Sequence, residues 1–219
     1  TTGLTEIPEY AFFDEDEWTG CEALAGIVLP EGIESINQYA FRECSNLTDI
    51  VIPDSVKIIG DGAFQNSGLA SIKFGSGLES IGKWAFQVCN SLTKITLPGS
   101  VKTIGHLAFG SCDNLEEAVL EDGAQTIGEN AFTSCKKLAT VTIPKSMTSI
   151  EDGAFCYCDA LQTVNYGGTT AEWNALKDKI GADNDALLNA KIICTDGTIV
   201  KTSVANAASV IGELPEGTY

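Results

Sequence analysis

The chain has one histidine, His106, in 219 residues, and only thirteen lysines and arginines against thirty aspartates and glutamates, for a net charge of -17. The near-absence of imidazole removes most ways of building a zinc centre or a base-activated nucleophile. The shortage of cations excludes nucleic acid as a partner, because phosphates repel an acidic surface at every separation within a Debye length. No run approaches the roughly 18 consecutive apolar residues that a membrane span needs. No basic stretch followed by an apolar one opens the sequence either, so neither a transmembrane helix nor an intact signal peptide is read in it. What remains is a composition 44% hydrophobic, enough for a continuous core in one large domain or one elongated array. That balance points to binding before catalysis.

The dominant positive feature is a repeat. Ala-Phe recurs at 11, 40, 63, 85, 108, 131 and 154, and registering the chain on this dipeptide gives a 23-residue unit typified by LTKITLPGSVKTIGHLAFGSCDN from Leu92 to Asn114. The leading leucine becomes Leu24, Leu47, Leu69, Leu92, Leu115, Leu138 and Leu161. The later isoleucine, which usually precedes glycine, becomes Ile7, Ile36, Ile59, Ile81, Ile104, Ile127 and Ile150. Cysteine follows the Phe by three residues in Cys44, Cys89, Cys112, Cys135 and Cys158. Two departures stand out: six extra residues lie between Phe12 and Cys21, and the unit beginning at Leu47 is one residue short, with Ser67 in the cysteine place.

A unit this small cannot bury its own apolar face, whereas stacked copies about 4.8 Å apart align their strands into parallel sheets and their Leu, Ile and Phe into interior ladders. In LTKITLP the alternation turns Ile95 and Leu97 inwards and Lys94 and Thr96 outwards, a short strand ended by Pro98. SVKTIG reads as a second extended segment closed by Gly105. His-Leu-Ala-Phe reads as one helical or 3₁₀ turn that places Phe109 in the middle of the coil.

The units resemble the leucine-rich repeats of the bacterial BspA-like family over residues 1 to about 168, through the recurring Leu, Ile, Ile or Leu with Pro, Val, Ile-Gly, Ala-Phe and Cys. The segment from Gly167 to about Thr202 is similar to the C-terminal closure of such proteins. The resemblance implies an α/β, right-handed leucine-rich-repeat solenoid of stacked short parallel strands. It also implies a secreted or surface-anchored protein of a gut or oral bacterium that binds other macromolecules.

The expected organisation is a solenoid over 1–168, with a partial first repeat, about six full repeats and a final strand. A C-terminal cap of helix plus hairpin follows over 169–202, and a tail over 203–219. Thr169 and Glu172 form a capping box opening a helix through about Lys179, whose Trp173, Leu176 and Ile180 cover the last coil. Asp196-Gly197 marks a hairpin. An open end would expose ladders and strand edges, so such a cover is physically required. At the other end GLTEIPEYAF aligns with SVKTIGHLAF, halfway through a repeat, and more sequence is expected to precede it. Residues 1–46 carry ten acids and one arginine, a balance of -9.

Candidate sites are few. The repeat cysteines, with Cys21 as a sixth, read as small core residues rather than a disulfide framework, although neighbouring coils come within bridging range. Cys156 lies outside that ladder and is expected to face outwards unless the cap covers it; a bridge to Cys194 is the alternative. Cys156-Tyr157-Cys158 lacks the partner pair of a metal site. His106 shares its position with Gln38, Asp61, Lys83, Glu129 and Asp152 and reads as a solvated surface residue. The acidic run Asp14 to Glu17 lacks the order of a calcium loop. No catalytic residue, metal site or cofactor is assigned.

The candidate binding surface is the outward strand face: Asp49, Val51, Ser71, Lys73, Lys94, Thr96, Glu117, Val119, Thr140 and Thr142, with Gly26, Val28, Thr163 and Asn165 extending the columns. Lys73 and Lys94, in adjacent coils, are its basic pair, suited to an anionic patch on a partner. The function expected is that of a non-enzymatic interaction or adhesion protein, extracellular or at the cell surface, binding an extracellular protein or glycan through the repeat surface. The alternative is a structural spacer array carrying another functional domain. Neither nucleic acid binding nor membrane insertion is expected of this chain.

Overall fold

In the computed structural model, which describes residues 3–200, each coil after the first contributes a longer strand, a two-residue strand and a run of turns. The two-residue strands stack in register into a seven-stranded parallel sheet running from Glu6–Ile7 through Ser35–Ile36, Ile58–Ile59, Ser80–Ile81, Thr103–Ile104 and Thr126–Ile127 to Ser149–Ile150. The isoleucine of each pair points inwards and is buried, so the repeat's isoleucine column is one wall of the core. The longer strands Lys94–Leu97, Glu117–Leu120, Thr140–Ile143 and Thr163–Tyr166 pair in parallel to form the second wall. Ile95 and Leu97 are buried while Lys94 and Thr96 are exposed, as the alternation requires.

Between the walls runs a single file of phenylalanines. Phe12, Phe41, Phe64, Phe86, Phe109, Phe132 and Phe155 stack nearly face to face with centroids 4.9 to 5.3 Å apart. All but Phe12 are fully buried, each burial being worth about 1.5–3 kcal/mol. Beside them the thiols of Cys89, Cys112, Cys135 and Cys158 donate to the carbonyl oxygen of the Phe one coil back, at 3.1, 3.2, 3.2 and 3.0 Å. Cysteine is thus the residue small enough for the ladder that still carries a donor.

The Ala-Phe segment is not helical. The expected helical or 3₁₀ turn is replaced by successive tight turns in which two residues per coil adopt left-handed backbone, for example Tyr39 at φ 55° and Glu43 at φ 57°. Ala40 donates back to Asn37 and Cys44 to Phe41, whereas the amides between them, on Tyr39, Phe41 and Glu43, donate to Asp61, Ala63 and Gln65 of the next coil. A helix would commit every amide to its own segment. Alternation of turn bonds and inter-coil bonds instead ties the stack along this third side.

At the C-terminal end the helix Thr170–Lys177 begins at the expected capping box: the Thr169 hydroxyl accepts from the Glu172 amide, and the Glu172 carboxylate accepts from the Thr169 amide. Trp173 and Leu176 are buried and Ile180 is partly buried against the last coil. The strand Lys191–Cys194 adds in parallel to Thr163–Tyr166, and Gly197–Ile199 turns back against it as the expected hairpin. Asp196 in that turn accepts from the amide and hydroxyl of Thr170, fastening hairpin to helix. The expected tail over 203–219 lies outside the described residues. Among the described residues no helix is long and apolar enough to cross a membrane.

Candidate functional site

The outward strand face consists of two side-chain columns. Lys94, Glu117, Thr140 and Thr163 align in the first; Thr96, Val119, Thr142 and Asn165 align in the second. The cap prolongs both with Lys191 and Ile193. Lys94 and Thr96 are exposed, but Glu117, Val119, Thr140 and Thr142 are only half-exposed, because β-branched neighbours on a flat ladder cover one another.

The face is not continuous. Asp49–Val51 and Ser71–Lys73 pair only with each other, in register Asp49 to Ser71 and Val51 to Lys73, and form a separate two-stranded sheet. Gly26 and Val28, expected to begin the columns, lie in a segment without strand structure, where Ala25-Gly26 offers little β-propensity. At the shortened corner Gly68 lies against the preceding coil, where a Cβ would clash with the Ser45 carbonyl oxygen. The strand that follows pairs with Asp49–Val51 and not with Lys94–Leu97, and Phe74 is half-buried, edge-on to Phe86 at 5.7 Å. On the N-terminal side of the break lies an open depression of about 400 Å³, lined by Ile27, Val28, Asp49, Val51, Ser71 and Lys73 among others. Val28 at its rim is 93% exposed and Val51 58%.

The two lysines do not form one basic patch. Lys94 stands in the first column and pairs with Glu117 of the next coil at 2.8 Å. Lys73 stands in the second, beside Asp54. The Ser76 amide and hydroxyl bind the Asp54 carboxylate at 2.7 and 3.1 Å and hold its pKa below the usual range, with Lys73 adding to the effect. Lys94 thus sits against a neighbouring acid, while Lys73 lines the depression.

Other candidates resolve as follows. All eight cysteines are free, and no bridge joins Cys156 to Cys194. Cys156 is half-buried because the cap covers it, in a recess lined also by Asp183 and Asp185. Burial raises the Cys89 thiol to about 11 and pushes Cys112 up as well. Among the described residues no three His, Cys, Asp or Glu side chains are grouped to hold a metal ion. His106 is half-buried rather than freely solvated, with Nδ1 3.6 Å from a carboxylate oxygen of Glu129 in the same position one coil on and its ring edge-on to Trp84.

The sequence reading missed two groupings. Asn184, 2% exposed, organises the cap; its signal was the Ile180-Gly181 pair, which repeats the Ile-Gly of each coil. The second is an aromatic cluster around Arg42, for which the repeat register carries no signal because half of it belongs to the insertion.

Repeats matching the model of the BspA-type leucine-rich repeat region, in six copies, extend over residues 5–122 and 57–176. The chain belongs to the BspA-type leucine-rich repeat family. Among solved structures of such proteins, the leucine-rich repeat protein of T. pallidum is 32% identical, with 68% of this chain and 75% of that one covered and a TM-score of 0.62. A leucine-rich cell surface protein of Faecalibacterium prausnitzii is 28% identical with a TM-score of 0.50; the match takes in 70% of this chain but only 35% of that longer one. A leucine-rich repeat protein of Bacteroides ovatus shares the fold at 21% identity over 89% of this chain and 61% of its own, with a TM-score of 0.50. No curated protein matches. The BspA-type solenoid described here is accordingly a repeat scaffold of stacked parallel strands closed by a helix and a hairpin.

Proposed function

We propose that this BspA-type array is a non-enzymatic, secreted or cell-surface interaction protein that engages an extracellular protein or glycan through its strand face. The observation that carries the reading is the open depression on the N-terminal part of that face. There Val28 and Val51 project apolar surface beside the cationic Lys73, the mixture of apolar contact and one oriented charge that macromolecular interfaces use. The surface location is supported by the similarity to a protein described as a cell surface protein. Broad shape and dispersed polar contacts, not a deep catalytic pocket, are what such a wall offers.

The test is a binding screen of the chain against extracellular-matrix proteins and glycans, repeated with Val51→Glu and Lys73→Glu. Loss of a captured ligand in both folded variants supports the depression as the site. A ligand held equally by both variants moves the site elsewhere on the array, and no ligand at all supports the spacer role.

A further inference from the structure

The repeat alone does not call for the six extra residues between Phe12 and Cys21. They build an antiparallel hairpin, Phe13–Asp14 with Thr19–Gly20, projecting from the turn side of the solenoid. Asp14 Oδ1 accepts from the amides of Asp16 and Glu17 at 3.0 and 3.1 Å, shaping its tip. At that tip Trp18 is 66% exposed and has left-handed backbone, φ 54°. Of the thirteen non-glycine residues with positive φ among the described residues, eleven fall at the two recurrent turn positions before Ala and before the cysteine place, and Asp183 continues the first of these into the cap. Trp18 alone stands outside the pattern, so no inter-coil bonding requires it there. A bulky side chain in that region is costly and persists where its surroundings fix it.

Those surroundings are well defined. The guanidinium carbon of Arg42 lies 4.9 Å from the ring centres of both Phe13 and Trp18 and 5.1 Å from that of Tyr39. Phe13, buried, meets Trp18 edge-on at 6.1 Å. The indole is thus immobilised from one side by cation–π and edge contacts, while most of its surface stays in water. Around it Asp14, Glu15, Asp16 and Glu17 are all exposed, in a stretch, 1–46, whose balance is -9. Tryptophan is among the residue types enriched as interface anchors. Its ring face attracts cations, and the surrounding carboxylates attract the same charge.

We propose that the Phe13–Gly20 hairpin is a second docking site, specific for a basic protein segment that lays an Arg or Lys side chain on the open face of Trp18 and pairs its neighbours with the carboxylates of 14–17. The site is separate from the strand face and stands whether or not that face binds anything.

The experiment is a ¹H–¹⁵N NMR titration of the whole chain with a dodecapeptide of alternating Arg and Gly, against its alternating Glu and Gly counterpart and a neutral β-glucan oligosaccharide. The basic peptide is expected to shift the Trp18 indole and the amides of 13–20 selectively, with the two other probes inert. Trp18→Gly keeps every carboxylate and relaxes the left-handed backbone, and it should weaken binding at least tenfold. Neutralising the loop as Asp14→Asn, Glu15→Gln, Asp16→Asn and Glu17→Gln keeps the indole and should weaken binding as much while flattening its salt dependence. Unchanged affinity in either variant, shifts spread over all acidic residues, or a response to the oligosaccharide instead of the basic peptide would each overturn the proposal.

Discussion

The side-chain oxygen of Asn184 accepts the backbone N–H of Phe155 at 3.0 Å. In every earlier coil the same Phe amide donates to the carbonyl of the next coil's alanine: Phe86 to Ala108, Phe109 to Ala131, Phe132 to Ala154. The array ends where a side chain takes over the role of a missing coil. The Nδ2 of Asn184 donates in turn to the carbonyls of Glu151, Gly181 and Ala182 at 2.9, 3.1 and 3.2 Å. Ile180 bridges Ile150 as though it were the next strand of the seven-stranded sheet. The cap therefore works by imitating half a repeat before departing from it.

Asn184→Ala should cost about 1–3 kcal/mol, since it leaves a buried amide without an acceptor. Asn184→Asp should not rescue it, because a carboxylate keeps the acceptor for Phe155 but sets negative charge against three carbonyl oxygens. Chemical denaturation gives the loss, and hydrogen exchange at the Phe155 amide locates it. Full stability in Asn184→Asp would mean that the acceptor alone matters.

Phe109 lies between Phe86 at 5.1 Å and Phe132 at 5.3 Å, fully buried. Truncation to Ala opens a void that neighbours pinned by inter-coil hydrogen bonds cannot close, so the expected loss is about 3–5 kcal/mol. A loss below about 1 kcal/mol would show that the stack collapses freely.

The solenoid was legible because its pattern recurs: Ile95 and Leu97 point inwards for the same reason as their counterparts in six other units, and the capping box at Thr169 is a local signal. The turns were not. Left-handed positions call for Gly or Asn, which holds at Gly62, Asn130 and Gly153 but not at Tyr39, Trp84 or Leu107. There the conformation is imposed by bonds to the next coil, and propensity carries no trace of it. The strand columns were legible from alternation, and the Lys94–Glu117 pair follows from opposite charges one repeat apart. The split after Lys73 was not, because Ser71, Ile72 and Lys73 alternate just as Lys94, Ile95 and Thr96 do.

The ladder thiols Cys89, Cys112 and Cys135 are both sealed and hard to ionise. With Cys89 raised to about 11, roughly one molecule in a thousand carries that thiolate at pH 8, and the thiolate is the reactive form. Alkylation of the native chain at pH 8 should reach only the half-buried Cys21 and Cys156. In denaturant without reductant at least six of the eight should titrate as free thiols. Rapid labelling of Cys112 or Cys135 in the folded protein would show that the coils separate readily.

Ending the chain at Gly167 would remove every element that closes the C-terminal end. Thr163–Tyr166 would lose its parallel partner Lys191–Cys194, Ile150 its bridge to Ile180, and the last Phe ring the cover supplied by the cap. An edge strand with free amides beside an apolar ladder is a template for another chain. In a solenoid the same surface is complementary to the equivalent surface of any coil. The truncated protein should sediment as oligomers or precipitate, its end coil exchanging amide protons faster than coils further in. A second truncation, after Ile199, keeps the cap and controls for loss of length. A monodisperse monomer from the shorter chain, with exchange at Phe155 as slow as in the full one, would show that the helix and hairpin decorate an end already stable by itself.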